Sequence, residues 1–272
     1  PPHSAIPSGH KQMPGRGVMD LGLKGKKVIM NGGAHGLGLQ SLKLFAAEGA
    51  DVAFFSRKED KIAAAVAEID AAGPGKVFAE VFDMASGTEA YQAWLEKAVA
   101  ELGGCDIFVH TASASGTGGA GDWQACLDMD LKGAAYAVET LTPYLEASGT
   151  GSIVMLSSTA ALETFIAPNP FNAIKAALIT YASQLSQAMA AKGIRVNTVS
   201  PGAIYYKGGN WEIIEEHMKP LFDATLAKMP TGRFGEPVEV AKAIVFVASP
   251  AVPYMTGANI VVDGGFTQRV QF

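Results

Sequence analysis

The sequence predicts a doubly wound α/β fold: a single domain built on a seven-stranded parallel sheet with helices on both faces. Three observations predict it. From Lys27 onward, short β-branched or aromatic runs alternate with longer alanine-rich helical stretches, the pattern of parallel strands joined by helical crossovers. The first run leads directly into Gly32-x-x-x-Gly36-x-Gly38 and then a helical stretch, Leu37 to Ala47. At 272 residues, 49% of them hydrophobic, the chain can fill one large core but not a second full domain.

Taken in order, residues 1–20 are rich in Pro and Gly without an apolar run, and read as a loose leader ahead of a domain spanning 21–272. Strands are expected at Val28 to Met30, Val52 to Phe55, Val77 to Val81, Ile107 to Val109, Ile153 to Leu156, Ile194 to Val199 and Ile260 to Val262. In such a sheet, ligands bind beyond the carboxyl ends of the strands, where the strand order reverses. Two connections are long, Ser113 to Asp122 and 204–230, and these are the candidate functional loops. The second carries Trp211, Ile213, Ile214, Met218, Leu221, Phe222, Leu226 and Met229, and reads as a helical pair broken at Pro220 whose apolar face closes over an apolar substrate. The same stripe also fits ordinary core packing or a subunit contact.

Charge and cysteine usage narrow the function. A formal charge of -5 with no basic run argues against nucleic-acid or anionic-membrane surfaces, and no apolar stretch reaches the roughly 18 to 20 residues that span a bilayer. Cys105 and Cys126 form no CxxC and have no histidine in ligand register, so neither a disulfide framework, a zinc site nor any other metal is expected, and a reducing cytoplasm fits. A small-molecule substrate becomes the default partner.

The glycine turn points to a dinucleotide. Gly32, Gly36 and Gly38 lack the Cβ atoms that would block a tight turn and a pyrophosphate approaching the helix N-terminus at Leu37. Glycines alone are a weak signal, equally a plain strand-to-helix turn; strand before and helix after give them meaning. At the end of the second strand, where an acid would accept the ribose hydroxyls of NAD, the chain has Ser56-Arg57. Arg57, with the Ser56 hydroxyl and His35 from the turn, suits a 2′-phosphate, so NADP is expected. Singly, Arg57 reads as a solvated surface residue and His35 as incidental. Asp83, after the third strand, is placed to accept from the adenine amine, or simply to form a turn.

These residues, with Asp106 to Ser113, Ser158, Phe171-x-x-x-Lys175, Val196 to Gly202, Gly232 to Pro237 and Val262 to Gly265 in that order, resemble the short-chain dehydrogenase/reductase family over nearly all of Leu23 to Gly265. The resemblance implies a Rossmann-type fold, with further NADP(H) contacts at Met84, Ala112, Pro201, Gly202, Ile204 and Lys175. It implies a catalytic set of Ser158, the residue at 171, Lys175 and the residue at 130. Family members build dimers and tetramers through parts similar to Ile244 to Val247 and 259–272, so a homotetramer is expected.

Three departures stand out. His110-Thr111-Ala112-Ser113 replaces the usual Asn-Asn-Ala-Gly, and Asp130 replaces an active-site Asn, where it either holds a water leading to Lys175 or faces solvent. Phe171 stands where the family has the tyrosine that protonates the developing alkoxide, and a phenyl ring donates no proton. Ser158 remains able to hydrogen-bond a substrate carbonyl, and Lys175, one helical turn beyond Phe171, keeps its role toward the ribose. The near-isosteric exchange reads first as a Tyr→Phe substitution that disables the enzyme; read as native, it needs another donor, for which Tyr205 and Tyr206 are candidates.

The expected function is therefore an NADPH-dependent oxidoreductase interconverting a carbonyl and a secondary alcohol on an apolar, cyclic or acyl substrate, with activity strongly reduced. Reduction of a 3-oxoacyl thioester is a related reading. A non-catalytic NADP-binding protein is the alternative from another class.

Overall fold

The computed structural model describes residues 19–165 and 167–270; the expected leader falls almost wholly outside them. Seven parallel strands form one sheet in the order β3-β2-β1-β4-β5-β6-β7. They are β1 (Lys27–Asn31), β2 (Asp51–Ser56), β3 (Val77–Val81), β4 (Ile107–His110), β5 (Ser152–Leu156), β6 (Arg195–Pro201) and β7 (Asn259–Val262). Each contains the run expected of it, except that β6 starts at Arg195, one residue after the expected Ile194. The chain winds outward from β1 to β3, then returns to β4 on the other side of β1, so the order reverses between β1 and β4. A crevice opens there at the carboxyl ends.

Strand alternation sorts the core into two layers. Val28, Met30, Val52 and Phe54 point to one face, where they bury with Leu42 and Phe45 of α1 (Gly36–Ala47), Ile69 of α2 (Glu59–Ala72) and Ile244 of α9 (Pro237–Ala248). Ile29, Ala53 and Phe108 point to the other, against Trp94 of α3 (Thr88–Leu102), Leu141 of α5 (Gly133–Ala147) and Leu178 of α6 (Pro170–Met189). Successive residues of a strand face opposite sides, so runs apolar at every position require helices on both.

Two expectations are corrected here. The helical pair in 204–230 is present, as α7 (Asn210–His217) and α8 (Lys219–Leu226), but the break falls at Met218. Pro220 sits in the first turn of α8, where its missing N–H costs nothing. The stretch Ile244 to Val247, expected at a subunit contact, is used inside the domain: Ile244, Val245 and Val247 are buried in α9 against the α1 layer.

Candidate active site

One continuous cleft of about 970 Å³ runs across the carboxyl ends of the strands. Gly32, His35, Leu37, Gly38, Ser56, Arg57, Asp83, Met84 and Ala112 line one end, Ser158, Phe171, Lys175, Pro201, Gly202 and Ile204 the middle. Phe165, Trp211, Ile214, Leu221 and Phe266 line the far end. Of the site residues expected from sequence, only Gly36 and Asp130 are absent from the lining, each for a physical reason given below.

At the first end, no side chain caps α1 and its first turn holds no acid, which leaves the positive helix terminus to an anion. Gly38 is needed for packing: a Cβ there would lie 2.9 Å from the Gly33 Cα. Gly36 takes φ +55 and is covered by Tyr206, whose ring would meet a Cβ at 2.6 Å. Tyr206 also stacks on His35 at 6.5 Å between ring centroids. Burial holds the His35 imidazole below its ordinary value, and the positive charges of Lys61 and Arg57 add to that. Lys61, which no spacing pointed to, thus joins Arg57 in an electropositive corner fit for a 2′-phosphate. The bare helix end, the glycine cradle and this corner fit NADP(H), and Arg57, His35 and the α1 amides would hold its phosphates. Asp83 accepts a hydrogen bond from the Ala85 N–H.

The middle of the cleft rests on the start of α6. Asn169 caps that helix by accepting the Phe171 N–H at 2.8 Å, with Pro170 in the first turn, where each residue type is favoured. The Ser157 hydroxyl donates to the Lys175 carbonyl at 2.9 Å, tying α6 to the end of β5. Ser158 accepts the Ala160 N–H at 3.2 Å, which leaves its own O–H to donate to a ligand. Lys175 donates to the Leu156 carbonyl at 2.7 Å, and its Nζ lies 5.6 Å from the Phe171 ring centre.

Asp130 departs from both sequence expectations, since it neither faces solvent nor waits on a water. It is fully buried, and its Oδ1 lies 2.9 Å from Lys175 Nζ, the Lys175 side chain being 3% exposed. Oδ2 accepts the Ala114 N–H at 2.9 Å. Burial alone would push this carboxyl up, but the Lys175 charge, the Ala114 amide and the Ser113 hydroxyl outweigh it and hold Asp130 below the usual carboxylate range. The residue is carried on a π-helical turn, Leu127–Lys132, between α4 (Trp123–Cys126) and α5. Such turns re-aim side chains at functional places and leave no spacing signal.

Beneath it runs a buried polar chain. Asn31 Oδ1 accepts the Thr111 and Ala112 amides at 2.8 and 3.2 Å, while its Nδ2 donates to Tyr91 Oη at 3.0 Å and approaches His110 Nδ1 at 2.6 Å. His110 Nε2 lies 2.8 Å from the Asp130 carbonyl, so Nε2 carries the proton. Burial pushes this imidazole down to about 4. Unfolded histidine binds its proton near pH 6.5, so the folded state gains this contribution above that pH and loses it as pH falls toward 4, about 3 kcal/mol in all. His110→Gln should therefore flatten the fall in Tm between pH 6.5 and 4; an unchanged slope would assign that acid sensitivity elsewhere.

The far end is aromatic. Phe165 lies 6.2 Å from both Trp211 and Phe266, and Trp211 packs on Phe234 at 4.8 Å. Glu163 Oε1 accepts the Gln268 and Arg269 N–H groups at 2.8 and 2.9 Å, drawing the segment after β7 against the cleft. Sequence reasoning missed Glu163, Phe165 and Phe266, because nothing local relates the segment after β5 to the one after β7.

The two tyrosines considered as substitute donors are not placed for it. Tyr205 does not line the cleft; its hydroxyl donates to Glu215 at 2.7 Å, which pushes it up to about 12, and its ring stacks on Phe234. Tyr206 lies over the glycine turn, at the phosphate end.

Residues 32–267 match the family model described as Enoyl-(Acyl carrier protein) reductase. The isoepoxydon dehydrogenase patN of Penicillium expansum is 33% identical over 94% of this chain and 100% of its own. The 3-oxoacyl-[acyl-carrier-protein] reductase FabG of Thermotoga maritima is 31% identical over 89% and 98%. The crystal structure of L-sorbose reductase from Gluconobacter frateurii complexed with NADPH and L-sorbose superposes with a TM-score of 0.83 at 27% identity, covering 93% of this chain and all of that one. The chain belongs to the short-chain dehydrogenase/reductase family. Its class is that of NADP-dependent oxidoreductases that interconvert carbonyls and alcohols. Among the described residues no group of His, Cys, Asp and Glu could hold a metal ion, and no helix is long and apolar enough to cross a membrane.

Proposed function

We propose that this chain is an NADPH-dependent ketoreductase for an apolar, cyclic or acyl substrate, in a form lacking its proton donor. The observation that carries the reading is the continuity of the cleft, from the Arg57 corner past Ser158 and Lys175 to the Phe165–Trp211–Phe266 wall. NADPH bound there supplies a hydride to the substrate carbonyl carbon. Ser158 orients and polarises the carbonyl oxygen, Lys175 holds the ribose, and 204–230 forms the lid that excludes water. Phe171 leaves the oxygen without a positioned acid, a Tyr-to-Phe inactivated state.

Relatives of this chain act on both acyl and cyclic substrates by name, among them FabG and the 2,5-dichloro-2,5-cyclohexadiene-1,4-diol dehydrogenase LinX of Sphingobium indicum. The aromatic far wall favours a flat apolar ring. A panel of cyclic ketones, 3-oxoacyl thioesters and aliphatic ketones, with NADPH oxidation as readout, tests the reading. The cyclic ketones should lead, and no response to any ketone would remove it.

Cofactor choice has its own test. Arg57→Ala should weaken NADPH binding by about 10- to 100-fold, the worth of a charge-assisted hydrogen bond, and leave NADH nearly unchanged. Equal losses for both would place Arg57 away from the 2′-phosphate.

We further propose a cytoplasmic homotetramer, joined through the segment around β7. In this chain β7 is only half-buried and Tyr254 beside it is fully exposed. Sedimentation as four 28.3 kDa chains is expected; a monomer would refute it.

A further inference from the structure

Asp130 and Lys175 form a buried ion pair beside the position the proton donor should occupy, and the donor's absence does not explain the pair. Lys175 Nζ touches Asp130 Oδ1 at 2.9 Å and the Leu156 carbonyl at 2.7 Å, while the Phe171 ring centre stands 5.6 Å away. An ammonium beside a phenol favours the phenolate; a carboxylate beside that ammonium opposes it. If the ammonium is ~4 Å and the carboxylate ~7 Å from the oxygen, Coulomb's inverse distance means the carboxylate cancels roughly half the pull.

The other groups facing the pair leave this balance intact. His110 of β4 is pushed down to about 4 and is neutral at neutral pH. Cys126 of α4 is pushed up, by burial first and by Asp130 next, and stays a thiol. Asp122, at the head of α4, acts on Cys126, and Asp83 and Glu163 are the further acids lining the cleft. Ser113 and Ala114 contribute only neutral hydrogen bonds to Asp130.

We infer that Asp130 is a positioning residue that counterbalances Lys175, so that a tyrosine placed at position 171 would remain a protonated acid at neutral pH and the site would be set for carbonyl reduction rather than alcohol oxidation. This rests on the ketoreductase reading for its chemistry, but its electrostatics stand without turnover. In the reducing direction the phenol gives its proton to the substrate oxygen as hydride reaches the carbon, and the phenolate is reprotonated from solvent. In the oxidising direction the phenolate must already be present, and Asp130 confines that state to high pH.

The test is an ultraviolet difference titration of Phe171→Tyr against the parent protein, without cofactor, which isolates the one added phenol. That phenol should ionise near or above the ordinary value of about 10. In Phe171→Tyr/Asp130→Asn, read against Asp130→Asn, it should ionise about 1 to 3 units lower, and alcohol oxidation should extend to correspondingly lower pH. A phenol ionising below about 9 in Phe171→Tyr alone would overturn the inference, as would no shift on adding Asp130→Asn. Should the double variant fail to fold, the single variant's titration decides. An added phenol that ionises near the ordinary value, in a Phe171→Tyr protein that reduces no ketone, would keep the role of Asp130 and reject the ketoreductase reading instead.

Discussion

Replacing Phe171 by tyrosine is expected to raise NADPH-dependent ketone reduction by at least about 10²-fold, because a positioned general acid contributes on the order of 10²- to 10⁴-fold. That range corresponds to about 3 to 5 kcal/mol of barrier. The site is built to receive the hydroxyl. The Phe171 backbone is fixed by bonds to Asn169 Oδ1 and the Ala120 carbonyl, and its ring lines the cleft together with Ser158 and Lys175. Position 171 needs no repacking, so the melting temperature should move little. The measurement is initial rate against the best ketone of the panel, for the parent and Phe171→Tyr side by side, across pH. Equal rates would mean that Phe171 is native to whatever the site does, and the non-catalytic NADP-binding reading would take its place.

Why this site could be read so far from sequence, and no further, follows from how each part is encoded. The strands were legible because a sheet covered on both faces demands apolar residues at every position, as in Val52 to Phe55. The phosphate turn and the Ser158, Phe171 and Lys175 set were legible because each is local, fixed by one strand end or one helical turn. Asp130 was located but misjudged, since its burial depends on a π-turn and on α6 packing across it. Ile244 to Val247 misled because an apolar run looks the same whether it meets α1 or another subunit. Tyr206 over Gly36, and Glu163 holding the segment after β7, join residues more than a hundred positions apart. No period or spacing records such pairs; only the topology creates them.

The same ion pair that tunes the donor should also be the polar interaction whose loss costs the fold most. Asp130→Ala leaves the Lys175 ammonium buried, with the Leu156 carbonyl at 2.7 Å as its remaining hydrogen-bond partner among the described residues, and breaking a buried pair from one side costs about 3 to 5 kcal/mol. Removing both charges, as Asp130→Ala/Lys175→Met, should cost less than Asp130→Ala alone, because no uncompensated charge remains. The pH dependence has a definite sign. Asp130 is held below the usual carboxylate range in the folded state, so its contribution is complete above the unfolded value of about 4 and is lost only as pH falls through the lower folded one. Denaturant unfolding of the parent and both variants should therefore show a gap that is constant from about pH 5 to 8 and narrows below about 4. A single variant as stable as the parent would mean that water entering from the cleft already solvates Lys175, and the site would owe its order to the Ser157 and Asn169 bonds that anchor α6.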